Sequence, residues 1–266
     1  MGDEEAIPLL GAGLQDRGIV RIGDTVHRPT GYWRESVHHL MRHVRAEGLA
    51  TVPEPLGVDD AGREILRFVP GRDQGWPSIG EFLADVGAEE LGRLATALRQ
   101  ALVTYRCSPT ARWRFRTGTP DEGEGMQHGD LGPWNLLWGD LSEISGVLDW
   151  DFAEPGDPWY DTGFLAWFTV PLMDDERAYS RGFPEPPDRH ARLRAFAHGA
   201  GLTAERVLEL GAMAQQEFVD RVTTRAAKNL DPWPTLLSMG LHTAAMADRE
   251  WTRSRFGRSD PGDNRR

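Results

Sequence analysis

Two short apolar runs separated by a turn, with polar residues at their outer ends, constrain the fold of this chain more than any other feature. The runs are Leu136–Trp138 and Ile144–Leu148, and the intervening Gly139–Ser142 suits a turn. Strands joined by so few residues run antiparallel. We therefore expect Asn135, which precedes the first strand, to lie beside Asp149, which follows the second.

Asn135 and Asp149 would bring an amide oxygen and a carboxylate to one point, and Mg²⁺ prefers oxygen ligands of this kind. Asp130 lies shortly before Asn135, in a loop that contains glycine and proline. A carboxylate there is close to the ion without having to bind it, so it can accept the proton of an attacking hydroxyl group. Asp151 is predicted to be either a second metal ligand or a solvated carboxylate.

The same segment resembles the catalytic region of a known enzyme family. HGDLGPWN, residues 128–135, matches the pattern His-x-Asp-x4-Asn of kinase-fold enzymes, and the later LDWD and GDPWYD runs resemble the aminoglycoside phosphotransferase and choline kinase group. The resemblance implies an α+β, two-lobed protein-kinase-like fold, with a small β-rich N-lobe and a larger, mostly helical C-lobe. It also implies that Asp130 is the catalytic base and that Asn135 and Asp149 hold Mg²⁺.

Two further residues of the segment are expected to support the loop. A histidine in such a place more often has a structural role, so His128 is expected to brace the loop by hydrogen bonds. Asp161 could cap a helix, because aspartate at a helix start accepts backbone N–H bonds. The resemblance implies instead that its buried carboxylate braces the catalytic loop.

Residues 1–71 predict a small nucleotide-binding lobe of strands with one helix. Gly18–Ile22 and Thr25–Arg28 alternate apolar and polar residues around a Gly-Asp turn, which indicates a hairpin. Tyr32–Gly48 repeats apolar residues at helical spacing, and Glu64–Val69 predicts another strand. Pro70-Gly71 ends this lobe.

Residues 72–257 predict a larger helical lobe, followed by a tail over residues 258–266 that is expected to be disordered. Apolar residues at helical spacing indicate its helices. The predicted helices are Ile79–Val86, Ala88–Arg106, Arg189–His198, Thr203–Asn229 and Thr235–Phe256.

The small lobe departs from the kinase pattern because it has no lysine; Lys228 is the only lysine of the chain. Arg28, at the end of a predicted strand, stands about where that lysine would be. Arg21, on the neighbouring strand, is its rival for binding phosphate. Glu35 could pair with Arg28, although a solvated surface position is the plainer expectation. The segment Leu10–Gly18 contains three glycines but no clear G-x-G-x-x-G pattern.

By the resemblance, the linker Arg67–Pro70 between the lobes would hold the adenine. Backbone N–H and C=O groups of Arg67, Phe68 and Val69 would provide the hydrogen bonds, so the side chains there carry no information. The expected cofactors are Mg²⁺ and, as phosphoryl donor, ATP or GTP.

The net charge of −11 and the pI of about 5.2 argue against nucleic acid or an anionic membrane as a partner. The N-terminus shows no secretory signal, and no apolar stretch is long enough to cross a bilayer, so a cytoplasmic location is predicted by elimination. The expected partner is a small molecule with a hydroxyl group that accepts the phosphoryl group. A set of acidic residues would suit a cationic acceptor, such as an aminoglycoside or another amine-bearing antibiotic, although solvated helix faces are the plainer expectation for most of them. The set comprises Asp174, Asp175, Glu176, Glu217 and Asp220.

An apolar acceptor pocket is the other possibility, and it would be shaped by Trp167, Phe168, Trp233 and Trp251. Two rival functions also stay open. The missing lysine would suit a nucleotide-binding regulatory protein without turnover. The run GVLDWD, residues 146–151, also resembles haloacid-dehalogenase-like phosphatases, in which Asp149 would be the nucleophile, although that reading leaves Asp130 and Asn135 without a role.

Overall fold

The computed structural model describes residues 6–9, 18–73, 80, 83, 87–139 and 143–257. In this part of the chain, the first elements form an antiparallel five-stranded sheet in the order β1-β2-β3-β5-β4. The predicted hairpin is present at its centre, where β2 pairs with β3 across the Gly-Asp turn. The strands are β1 (Ile7–Pro8), β2 (Val20–Ile22), β3 (Thr25–Arg28), β4 (Pro55–Val58) and β5 (Glu64–Arg67).

One helix, α1 (Arg34–Ala46), follows β3, as the apolar spacing predicted. Its buried face repeats at the helical period and includes Val37, Leu40 and Val44. The predicted bounds extended slightly too far at both ends, which is the usual uncertainty of helix termini. The buried face of α1 also carries a histidine, His38.

The remainder of the described chain is mostly helical, so the predicted division into a small β-rich part and a larger helical part is confirmed. The region predicted as one helix, Thr235–Phe256, is two helices, because Gly240 adopts a positive φ of 74° that ends the first. The helices are α2 (Ala88–Val103), α3 (Tyr160–Thr169), α4 (Asp175–Ser180), α5 (Arg189–Ala200), α6 (Ala204–Ala227), α7 (Trp233–Ser238) and α8 (Leu241–Phe256).

Helix α3 was not predicted. Every one of its ten residues is buried, so it shows no alternation of apolar and polar faces from which a helix could be recognised. It lies between α2 and α6 at the centre of the helical part. This central helix carries Asp161 in its first turn.

The segment singled out by its sequence is built from two small ladders. The predicted hairpin is confirmed: β7 (Leu136–Trp138) runs antiparallel to β8 (Ile144–Val147). A second, unpredicted ladder pairs β6 (Gly125–Gln127) with β9 (Glu154–Gly156), so the strands before and after the segment meet.

Three predictions concern residues outside the described part: the glycine-containing segment Leu10–Gly18, apart from Gly18, most of the helix Ile79–Val86, and the tail over residues 258–266. Among the described residues, none of the helices combines the length and the apolar character that a bilayer crossing requires.

Candidate active site

The side chain of Asp161 binds the backbone of the loop that follows β6. One oxygen of this buried carboxylate, Oδ2, accepts a hydrogen bond from the backbone N–H of His128 at 2.6 Å, and the other, Oδ1, accepts one from Gly129 at 2.9 Å. Gly129 has a φ of +85°, and a Cβ there would lie 2.3 Å from the Phe152 carbonyl oxygen, so only glycine fits. Asp161 therefore contacts the loop backbone instead of capping α3.

His128 ties the loop to the end of β8. Its side chain is fully buried; Nε2–H donates to the Leu148 carbonyl at 2.9 Å, and Nδ1 accepts from the Asp130 N–H at 3.3 Å. Burial lowers the pKa of His128, so the ring is neutral at physiological pH. A neutral imidazole with one donor and one acceptor satisfies both bonds and fixes the direction in which the chain leaves the loop.

Asp130 is oriented through one of its two oxygens. Oδ2 accepts hydrogen bonds from the Asn135 amide at 2.9 Å and from the Trp134 indole at 3.4 Å. Oδ1 has no hydrogen-bond partner among the described residues and can therefore receive a proton. Burial, together with the nearby charge of Asp149, raises the pKa of Asp130 to about 7.

Asn135 and Asp149 are brought to the same end of the hairpin, as predicted, but with an offset of one residue. The backbone N–H of Leu148 donates to the Asn135 carbonyl at 2.8 Å, so Asn135 stands opposite Leu148. Asp149 follows in the left-handed conformation, with φ 54° and ψ 68°. That conformation costs a non-glycine residue on the order of 1–3 kcal/mol and is found most often at functional sites.

The oxygen atoms of these two residues fit a magnesium ion. Both bonds of the Asn135 amide nitrogen go to Asp130, one to its carbonyl at 2.8 Å and one to Oδ2, so the amide oxygen is left to face away from the loop. The Asp149 side chain is 48% exposed. No group of three or more histidine, cysteine or acidic residues that could hold a metal occurs in the described ranges.

Arg28 reaches from the sheet to this site, and three carboxylates surround its guanidinium. Nη1 donates to Asp149 Oδ1 at 3.1 Å, Nη2 donates to Asp151 Oδ1 at 2.5 Å, and Nε donates to Glu64. Although burial works against the charge, these carboxylates raise the pKa of Arg28 well above its ordinary value. A permanently charged group thus bridges the small sheet and the motif segment.

Asp151 does not have the solvated environment that was one of the two expectations for it. Its side chain is only 14% exposed, so the expectation of a solvated carboxylate is wrong. One oxygen binds Arg28, and the other lies 3.9 Å from Arg114 Nη1. Both oxygens therefore face arginines, which makes Asp151 a poorer metal ligand than Asp149.

The two residues that sequence reasoning missed are Glu64 on β5 and His38 on α1. Glu64 accepts hydrogen bonds from Arg28 and, at 2.6 Å, from His38 Nε2. Glu64 is the first residue of the mostly apolar strand run EILRFV. Glutamate is seldom buried, so its place at the start of this strand was the signal in the sequence that could have identified it. Glu35, the expected partner of Arg28, is exposed and forms no ion pair among the described residues.

The side chain of Arg21, a residue of β2, packs against the linker residue Phe68 and not against these carboxylates. Its Nε donates to the Gly23 carbonyl at 2.8 Å, and its guanidinium carbon stands 3.7 Å from the centre of the Phe68 ring. Arg67 is partly exposed and pairs with Asp24 and, at 3.5 Å, with Glu54. Neither arginine is directed toward Asp149.

The linker backbone has one N–H group with no hydrogen bond among the described residues. The N–H of Arg67 donates to the Glu54 carbonyl and that of Phe68 to the Asp24 carbonyl, both at 2.8 Å. Pro70 has no N–H, which leaves the amide of Val69. Of the three residues expected to bind a nucleobase through their backbone, Val69 alone thus has an N–H group without a partner in the described part of the chain.

The residues proposed for the acceptor are mostly engaged elsewhere. The side chain of Asp174 caps α4, Asp175 pairs with Arg189 at 2.7 Å, and Glu217 binds Arg221. Trp167 and Trp233 are each only 2% exposed and belong to the core. Asp174 and Asp175 are therefore engaged elsewhere, whereas Glu217 and Asp220 line a common cavity, and these two of the four aromatic residues of the apolar alternative lie in the core.

Comparison with known proteins shows what the motif segment is similar to. Residues 78–196 match the family model described as "Phosphotransferase enzyme family". The trifolitoxin immunity protein of Rhizobium leguminosarum bv. trifolii is 29% identical over 231 residues, which cover 85% of this chain and 82% of that protein. The predicted resemblance to phosphotransferases of this family is thereby confirmed.

Solved structures show the same fold. A choline/ethanolamine kinase family protein from Mesorhizobium loti superposes with a TM-score of 0.51 at 17% identity, covering 90% of this chain and 89% of that chain. The GDP and kanamycin complex of the aminoglycoside phosphotransferase APH(2")-IIIa gives 0.54 at 12% identity, covering 93% and 95%. The two-lobed kinase-like fold is confirmed, and with the family match it supports a small-molecule phosphotransferase.

Proposed function

We propose that this protein transfers the γ-phosphoryl group of ATP or GTP to a hydroxyl group of a small molecule, with Mg²⁺. The observation that carries the proposal is the geometry of one loop. Asp161 and His128 hold its backbone, Asn135 fixes one oxygen of Asp130, and the second oxygen of Asp130 is left to accept a proton.

In the proposed reaction, Asp130 Oδ1 accepts the proton of the acceptor hydroxyl while the hydroxyl oxygen forms a bond to the γ-phosphorus. The bond from that phosphorus to the bridging oxygen breaks, and the nucleoside diphosphate leaves. A base functions best when its pKa is close to the working pH, which suits the pKa of about 7 at Asp130. Most of the rate gain would come from placement of the hydroxyl group.

The donor phosphates would be held from both lobes. Asn135 and Asp149 would hold Mg²⁺, which when bound neutralises phosphate charge. Each terminal nitrogen of Arg28 has two N–H bonds, and only one on each nitrogen donates to Asp149 or Asp151. The remaining two could donate to phosphate oxygens, which arginine commonly binds through paired N–H groups. Arg28 therefore fills the role expected of the missing lysine, and Arg21, stacked on Phe68, does not compete for it.

The base of the nucleotide would pair with the Val69 amide in the linker. A backbone site of this kind accepts adenine or guanine, so both ATP and GTP are candidate donors. The solved GDP complex of a structural neighbour supports a nucleotide in this fold.

Two of the similar proteins support an acceptor class. One neighbour was solved with kanamycin, and the relative found by sequence is an immunity protein against trifolitoxin. A hydroxylated antibiotic or toxin is therefore the acceptor class that we place first, and an aminoglycoside is one member of it.

The test is a panel of hydroxylated antibiotics and metabolites, incubated with Mg²⁺ and either ATP or GTP. Nucleoside diphosphate release and a mass increase of one phosphoryl group on the acceptor would be scored together. Asp130→Asn is the matched control, because asparagine keeps the shape of the side chain but cannot accept the proton. Nucleotide binding without any turnover above that control would favour the regulatory alternative instead.

A further inference from the structure

The attachment of Arg28 to the sheet differs from the arrangement that a kinase-like fold leads one to expect. In kinases, a lysine of the third strand pairs with a glutamate of the following helix. Here the register places Arg28 directly opposite Glu64 on the neighbouring strand β5. Side chains of directly paired residues lie on the same face of a sheet, so the two meet without any contribution from α1.

Glu64 is almost completely buried, with 2% of its surface exposed, and both of its oxygens are used. Oε1 accepts the Nε–H of Arg28, and Oε2 accepts Nε2–H of His38 at 2.6 Å. Although burial opposes ionisation, the hydrogen bond from His38 and the charge of Arg28 lower the pKa of Glu64. The carboxylate is thus charged, and neither oxygen is free to rotate toward another donor.

We infer that Glu64 is the residue that positions Arg28 for the donor phosphates, and that His38 fixes Glu64 from α1. The inference rests on the proposed function for the role of Arg28. An arginine can rotate about four side-chain bonds, and fixing its Nε removes most of that freedom. The two terminal nitrogens are then presented together toward Asp149, Asp151 and the phosphates.

This arrangement also uses a property that arginine has and lysine lacks. A lysine would present its three N–H donors from a single nitrogen. Arginine divides its contacts with the three carboxylates between Nε and the two terminal nitrogens. Helix α1 contributes His38 to the pair of Arg28 and Glu64, whereas the corresponding helix of kinases contributes a glutamate. The same helix also contacts the turn at residues 150–152.

The test compares ADP affinity, measured by calorimetry with Mg²⁺, across variants of the two positioning residues. We expect Glu64→Gln to weaken ADP binding about tenfold, on the scale of one charge-assisted hydrogen bond. His38→Ala should weaken it severalfold, and His38→Gln should restore most of the affinity because its amide can still donate to Glu64. Glu35→Gln, on the exposed face of α1, is the matched control and should bind as the wild type does.

A second readout does not depend on nucleotide binding. The Nε–H proton of Arg28, identified by its loss in Arg28→Lys, should appear strongly downfield in a ¹⁵N–¹H spectrum because it is bonded to a carboxylate. The signal of this proton should move upfield in Glu64→Gln. Asp59→Asn is the control and should leave the signal unchanged, because Asp59 binds His27, which lies on the opposite face of β3 from Arg28.

The outcomes separate the inference from the proposed function. If the wild type binds no nucleotide while the Arg28 signal behaves as expected, the proposed function fails and the pairing of Arg28 with Glu64 stands. Wild-type ADP affinity in Glu64→Gln, or a loss in Glu35→Gln of similar size, would overturn the positioning role. Equal affinities for His38→Ala and His38→Gln would overturn the part assigned to α1.

Discussion

Replacing Asp130 by asparagine is predicted to stabilise the folded protein at alkaline pH while it removes the proposed base. Burial, with the nearby charge of Asp149, raises the pKa of Asp130 to about 7. In an unfolded chain, an aspartate has a pKa of about 3.9. Between these two values the folded state retains a proton that the unfolded state has released. The contribution of Asp130 to the stability of the wild type therefore falls as the pH rises from about 4 to about 7, and is constant above that.

The size of the effect follows from the difference between the two pKa values. At about 1.4 kcal/mol for each pKa unit, the raised pKa of Asp130 costs about 4 kcal/mol of folding free energy at pH 8 and about 1.5 kcal/mol at pH 5. Asparagine does not ionise, and its oxygen can accept the same hydrogen bonds from Asn135 and Trp134. Between pH 5 and pH 8 the variant should gain about 2–3 kcal/mol relative to the wild type, or roughly 5–10 °C in melting temperature.

Scanning calorimetry at pH 5 and pH 8, with EDTA and without nucleotide, measures this difference. Glu176→Gln, at an exposed residue of α4, is the control and should show the same difference from the wild type at both pH values. The reasoning is refuted if the advantage of Asp130→Asn in melting temperature is equal at pH 5 and pH 8. That result would mean that Asp130 is not held in a site that disfavours its charge.

The remaining predictions concern the loop, the metal and the phosphates. Acceptor-dependent initial rates should rise about tenfold per pH unit up to about pH 7 and then level off, because the proposed base must be ionised; a flat profile from pH 5 to pH 8 would exclude Asp130 as that base. Asp161→Asn leaves one of two buried backbone N–H groups without an acceptor, so urea titration should show a loss of about 2–4 kcal/mol, and a loss well below 1 kcal/mol would contradict the bracing role. Asp149→Ala should abolish the tightening of ATP binding by Mg²⁺ in calorimetry, whereas Asp130→Ala should keep it; the same result in both variants would remove the ligand assignment. Arg28→Ala should weaken ATP binding more than tenfold and Arg21→Ala less than threefold, on the scale of ion pairs to phosphate, and the reverse order would transfer the phosphate role to Arg21.

The part of the site that was predictable from sequence is the part built by neighbours along the chain. The hairpin β7–β8 could be read from two apolar runs and a turn, and it fixes Asn135 and Asp149 at one end. Only the offset of one residue between them was missed, since it depends on the hydrogen-bond register at Leu148. Such patterns can be recognised in the sequence because the hairpin that they specify depends little on distant parts of the chain.

The contacts that could not be predicted join distant parts of the chain. Glu64 meets Arg28 because β5 returns beside β3 after a helix and another strand, and no local pattern specifies that register. His38 lies within the apolar stripe of α1, where a histidine is read as a core residue. Asp151 was misjudged because its two arginines come from two other segments, at Arg28 and Arg114. Exposure, charge and pairing at such positions are decided by tertiary contacts.

The unfavourable features of this site are concentrated between Asp130 and Asp151. They are a carboxylate whose charge is disfavoured, at Asp130, and a non-glycine residue at positive φ, at Asp149. A loop with such features would relax into another conformation unless its surroundings prevented it. The restraint comes from Asp161, which belongs to a helix with no exposed residue and therefore cannot shift without disturbing the core. The complete burial of α3, which made this helix unrecognisable from sequence, thus gives the loop of the proposed base a rigid support.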